Sequence, residues 1–239
     1  MQSKRYNSMK TLKESLLDID SVQSGIDPIK IIDDWCKENI RGSYKIDPKT
    51  LDINSNGSIE IANKDITELP DFIHFGTVRG FFDCSGCTKL TSLKGAPKEV
   101  GGWFDCSSCK NLTSLEGAPE KVDSHFYCSI CNSLTSLEGA PKEVGGNFSC
   151  SFCKNLTSLE GVPEKVGGNF NCNYCNNLTS LKGAPKEVGG NFECICCKNL
   201  TSLEGAPKEV HGCFDCRNNK KEFTEDEVIK ICLVDKIHV

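Results

Sequence analysis

The chain has 239 residues, 38% of them hydrophobic and 26% charged, and carries a net charge of −5. This length suits one or two domains, and the acidic balance argues against general binding to nucleic acid or anionic membranes, which needs a basic surface. No run reaches the roughly 18 apolar residues of a membrane span, and MQSKRYNSMKTLKESLLDID lacks the apolar core of a secretory signal, so a cytoplasmic location is expected.

Residues 1–25 read as a leader and 26–77 as a small α+β module. A helix is predicted over 27–40, capped by Asp27, with Pro28 in its first turn and Ile29, Ile32, Trp35 and Cys36 on one face. Short strands follow over 44–61, where LDI and SIEI flank a loop containing Asn56-Gly57, a hairpin signal. Ile66, Leu69 and Pro70 echo the second half of the repeat described next, so the module should merge into the stack as its cap. The alternation Ile59/Ile61 stands one residue out of register.

Residues 78–219 hold six to seven copies of a 22-residue unit such as VGGNFSCSFCKNLTSLEGAPKE. Cys84, Cys106, Cys128, Cys150, Cys172, Cys194 and Cys216 keep this period, and a second cysteine follows three residues after each of the first six. Phe148 and Cys150 alternate with Asn147, Ser149 and Ser151, the period of a half-buried strand. Leu156 and Leu159 suit a tightening turn, and Gly161 and Pro163 start the return path. One unit cannot bury its own apolar face, but stacked units share a continuous core. After Asn219, Thr224-Glu225-Asp226-Glu227 offers a capping box for a short helix with Val228, Ile229 and Ile231; IHV is a candidate strand.

The order Val166, Phe170, Cys172, Cys175, Leu178, Leu181, Pro185 resembles the leucine-rich repeat, with Val166 four residues before Phe170 where that family has three. The resemblance implies a repeat solenoid of parallel β coils with few helices, strands lining a concave face, and the second cysteine in an inward position that satisfies backbone groups of adjacent coils. Asn219 standing in that position fits the ladder. The spacing C-x2-C-x18-C-x2-C also matches tetrathiolate zinc sites, and disulfides between adjacent coils stay open as a further alternative. Cys196 and Cys213 are off-pattern and are the expected reactive thiols. Residues 9–20, MKTLKESLLDID, resemble a leader of proteins encoded by phages of gut Bacteroidales, some of which carry such Cys-rich 22-residue repeats. That implies a phage or prophage origin, with work in the host cell or packaging in the virion.

Function is expected on the strand face, where residues around each Phe and Cys vary while GAPKEV returns almost unchanged. Trp103, Tyr127, Ile130, Phe152 and Tyr174 suggest an aromatic track flanked by Asp105 and Glu193, a surface for an unidentified protein partner. The Lys and Glu residues of PKEV and PEKV read as a solvated ladder on the side opposite the strand face. His74, His125, His211 and His238 are scattered, and no phosphate or dinucleotide motif occurs, so no catalytic, metal or cofactor site is assigned. The expectation is a monomeric, non-catalytic interaction scaffold that binds neither nucleic acid nor membrane. The alternatives are a virion component with the solenoid as spacer, or a small hydrolase on the N-terminal module.

Overall fold

A computed structural model describes residues 27–239; the expectations for the leader lie outside them. The chain forms a β-solenoid of about eight stacked turns of about 22 residues, with two helices among the described residues. Two separate parallel ladders run along it. The first joins β3 (Ile53–Ser55), β5 (Phe75–Val78), β7 (Glu99–Val100), β9 (Lys121–Val122), β11 (Glu143–Val144), β13 (Lys165–Val166), β15 (Glu187–Val188) and the start of β17 (Glu209–Asp215). The second joins β4 (Ser58–Glu60), β6 (Phe82–Asp83), β8 (Phe104–Asp105), β10 (Phe126–Tyr127), β12 (Phe148–Ser149), β14 (Phe170–Asn171), β16 (Phe192–Glu193) and the end of β17. The repeated Val stands four residues before Phe, where the leucine-rich repeat has three. It sits in a ladder of its own, and the extra residue before Phe belongs to the Gly-Gly corner between the ladders.

The second glycine of that corner is crowded by backbone of the preceding coil at Gly102, and by a neighbouring side chain at Gly168 and Gly190. Asn147 Oδ1 accepts a hydrogen bond from Asn169 N at 2.9 Å, and Asn169 Oδ1 accepts from Asn191 N at 2.8 Å. A Cβ on Gly168 or Gly190 would lie 2.4 or 2.2 Å from these oxygens. Ser124 replaces glycine where the preceding coil carries Trp103 and offers no such oxygen.

Every repeated apolar position is inside. Val166, Phe170, Cys172, Cys175, Leu178 and Leu181 are fully buried, and the rings from Phe82 to Phe214 follow one another at 5.0–5.5 Å between centroids. The identical residue recurs in each coil because parallel in-register stacking presents each ring with the same neighbour on both sides.

At the N-terminal end, α1 (Pro28–Asn39) has Asp27 accepting from Ile29 N at 3.0 Å. It buries Ile32, Trp35 and Cys36 but leaves Ile29 exposed. β1 (Ile40–Arg41) and β2 (Tyr44–Ile46) pair antiparallel with β4 and β3. Asn56-Gly57 does not make the expected hairpin. It turns the corner between β3 and β4, which run on into different ladders, and of LDI only Ile53 is in a strand. Ile59 takes the Phe position opposite Phe82, so this coil is one residue longer and the register offset is absorbed. At the other end, Thr224 and Glu227 form the capping box of α2 (Glu225–Ile229). Ile231 falls beyond that helix, and β18 (Leu233–His238) extends well before IHV and runs parallel to β17.

Candidate binding face

The second cysteine of each coil is a hydrogen-bond donor to the coil before it. Sγ of Cys109, Cys131, Cys153, Cys175 and Cys197 lies 3.1–3.3 Å from the carbonyl oxygens of Cys84, Cys106, Cys128, Cys150 and Cys172. Cys87 reaches Ile61 O in the same way, at 3.0 Å. Asn219 fills this position with an amide that accepts from Cys197 N at 2.7 Å and donates to Cys216 O at 2.7 Å. Burial raises the pKa of Cys153 and Cys128, and lifts those of Cys36 and Cys216 to about 12. Among the described residues no three His, Cys, Asp or Glu side chains gather in a group able to hold a metal ion.

Three outward rows flank this core. The row before each Phe is largely structural: Asn147, Asn169 and Asn191 form the corner ladder, and His125 Nδ1 begins it by accepting from Asn147 N at 2.8 Å. In that row Trp103 stacks on Phe81, with centroids 4.2 Å apart. The row after each Phe closes the next turn. Asp105 Oδ1 accepts from Ser107 N at 2.7 Å, while burial holds its carboxyl above the usual carboxylate range. Glu193 Oε2 accepts from the amides of Asn171 and Asn173 at 2.8 and 3.0 Å. Tyr127 leans against His125, at 5.7 Å.

The third row carries the unusual feature. Ser108, Ile130, Phe152, Tyr174, Cys196 and Asn218 all have φ between 58° and 62°, in the left-handed region. The equivalent position in the preceding coil is Gly86, at φ 69°. Glycine and asparagine suit this backbone, whereas a β-branched or aromatic residue is an outlier there. Ile130, Phe152 and Tyr174 occupy it in three consecutive coils and are 40%, 43% and 40% exposed. Phe152 and Tyr174 stack face to face at 4.4 Å and 8°. The neighbouring Cys196 thiol raises the Tyr174 phenol's pKa.

The expected aromatic track therefore divides. Ile130, Phe152 and Tyr174 form one ridge, while Trp103 and Tyr127 are tied to Phe81 and His125 in other rows. The sequence reading treated all three rows as equally free because it had no view of φ. The recurrence of Gly86 and Asn218 in line with Ile130 was the available signal.

A second cluster joins Cys213, one of the two expected reactive thiols, to His238, which the sequence leaves scattered. It lines a cavity of about 440 Å³ with Glu193, Asp215 and Arg217. His238 Nδ1 lies 3.4 Å from Cys213 Sγ and 3.3 Å from Asp215 Oδ2, and Arg217 grips Asp215 at 3.0 and 2.6 Å. One ring nitrogen faces both thiol and carboxylate, so the imidazole does not bridge them as a proton relay, which uses opposite nitrogens. Burial pushes the Cys213 thiol up, away from the reactive thiolate. The signal was register: His238 stands opposite Asp215.

The Lys and Glu residues of the turns alternate. Lys142 pairs with Glu120 at 3.1 Å, Lys165 with Glu187 at 2.5 Å, and Lys186 with Glu164. Apart from the half-buried Glu187 these groups are well exposed, and each pair contributes little to stability. Compared with known proteins, the chain matches no family model, no curated protein and no solved structure.

Proposed function

We propose that this protein is a non-catalytic, phage- or prophage-encoded scaffold that binds another protein through the ridge Ile130–Phe152–Tyr174, with Tyr127, Asp105 and Glu193 beside it and Trp103 at its margin. One observation carries the reading: three consecutive coils place large apolar side chains in solvent at a backbone conformation that disfavours them. Left-handed backbone costs a non-glycine residue about 1–2 kcal/mol, and such strain concentrates at functional positions. Exposed aromatic and aliphatic anchors supply the buried centre of protein interfaces. The acidic net charge and the mixed-sign turns fit a protein partner better than nucleic acid.

The test is affinity capture from host-cell lysate on the immobilised full chain and on an Ile130→Asn/Phe152→Asn/Tyr174→Asn variant whose folding is verified by circular dichroism. A protein retained by the natural chain should be lost from the variant. Retention by the variant, with loss on changing Lys142 and Glu143, places the face on the charged turns and sinks the reading.

A further inference from the structure

The large hydrophobic side chains left exposed fall mainly in two places. One is the ridge. The other is the C-terminal end, where Ile229, Ile231, Leu233 and Val239 are 61%, 42%, 71% and 41% exposed. This second region includes β18, which among the described residues is paired on one side only, to β17. An unpaired strand edge beside exposed apolar side chains is a surface prepared for another strand.

The backbone groups on that edge follow from the repeat. In each internal coil the Phe N–H donates to the next coil, as Phe126 does to Asn147 O and Phe148 to Asn169 O, both at 2.8 Å. Each Val carbonyl accepts from the next coil, as Val122 O does from Gly145 N and Val144 O from Gly167 N, both at 3.0 Å. Val234 and Ile237 stand in register with Val210 and Phe214. The Val234 C=O and the Ile237 N–H therefore point away from β17, where the next coil would lie.

We infer that β18 pairs antiparallel with β18 of a second copy, about a two-fold axis between Asp235 and Lys236. The strand is self-complementary in three independent respects. In this register each outward Ile237 N–H meets the outward C=O of Val234 of the partner subunit. Val234 and Ile237 both pack inward while Asp235 and Lys236 are both exposed, so the order in-out-out-in reads the same from either end and inward faces inward across the seam. Asp235 comes opposite Lys236 of the partner subunit, twice, and opposite charges across antiparallel strands attract. The isologous contact closes on itself and removes the open edge of both copies. Head-to-tail stacking onto β1 and β2 would not close, and would give filaments.

Sedimentation equilibrium of the full chain under reducing conditions tests this. The natural chain should be a dimer in reversible exchange with monomer. Asp235→Lys alone or Lys236→Asp alone puts like charges opposite each other and should weaken dimerisation by about tenfold or more. The double variant Asp235→Lys/Lys236→Asp should restore it, and an equimolar mixture of the two single variants should form the mixed dimer. Because neither single change touches the core, circular dichroism should match the natural chain in every case. A monomer at all concentrations, an open-ended filament, or a dimer indifferent to both single changes overturns the inference. None of these outcomes bears on the ridge.

Discussion

At φ 62° the Ile130 side chain is held where a β-branched residue is least comfortable, and nothing inside the molecule requires it to be isoleucine. Ile130→Asn, the residue found at the same position in Asn218, should therefore stabilise the chain by about 1 kcal/mol while weakening partner capture. Urea unfolding with and without the change checks the first half. A loss of stability would show that Ile130 is held by packing, and would remove the observation on which the binding reading stands. Thiols offer a second test at this scale. Fifteen of the seventeen cysteines are buried, and only Cys196 and Cys213 are half-exposed. Brief alkylation near neutral pH should label those two in the folded protein and all seventeen after denaturation, counted by mass spectrometry. Rapid native labelling of Cys153 would put the thiol ladder on the wrong side of the strand.

Within a coil, the inner ring and the corner amide make separable contributions. Phe148→Ala opens a cavity between Phe126 and Phe170 and should cost about 3–5 kcal/mol. Asn169→Ala leaves Asn191 N without its acceptor and should cost about 1–2 kcal/mol, whereas Asn155→Ala, on an exposed turn, should stay within about 0.5 kcal/mol. Equal denaturant midpoints for the two asparagine variants would dismiss the corner ladder. The corner asparagines also mark the limit of reading from sequence. The inward set Phe148, Cys150, Cys153, Leu156 and Leu159 was legible because a strict period can only come from stacking. The roles of Asn147 and Asn169 were not, because an acceptor aimed at the next coil has the same composition as a solvated strand residue. Asn56-Gly57 was misread because a corner and a hairpin ask for the same backbone freedom; only the ladders that β3 and β4 join distinguish them. The ridge was partly legible, in that Ile130, Phe152 and Tyr174 were singled out together, but their shared left-handed backbone was not.

Along the whole solenoid the buried thiols form a column whose protonation is tied to folding. Burial raises the pKa of Cys87 and Cys232 to about 11 and of Cys36 and Cys216 to about 12, from an ordinary value of 9.0. In Cys84, Cys106, Cys150 and Cys172 the thiol of the next coil's second cysteine raises the pKa further along with burial. Folded pKa values above the unfolded value mean that the unfolded chain loses these protons first. Between about pH 9 and pH 11–12 the unfolded state thus binds fewer protons than the folded state, and stability falls as pH rises. The contribution is complete below about pH 8 and is lost upward through this window. Each such thiol removes about 1.4 kcal/mol per pH unit once the unfolded group is ionised. Eleven buried thiols are raised in this way, while the Cys172 thiol lowers Cys197; that slope exceeds what a domain of typical stability, about 5–15 kcal/mol, withstands over one or two units. In the presence of reductant, the urea midpoint should be nearly flat from pH 6.5 to 8 and should collapse between about pH 9 and 10.5. Thiolate absorbance should appear in the same step as the loss of circular dichroism, because the folded core excludes the charge that the unfolded chain accepts. Thiolate absorbance growing steadily from pH 8.5 while the dichroism stays native would show that the cysteines ionise in place, and that the column is open to water.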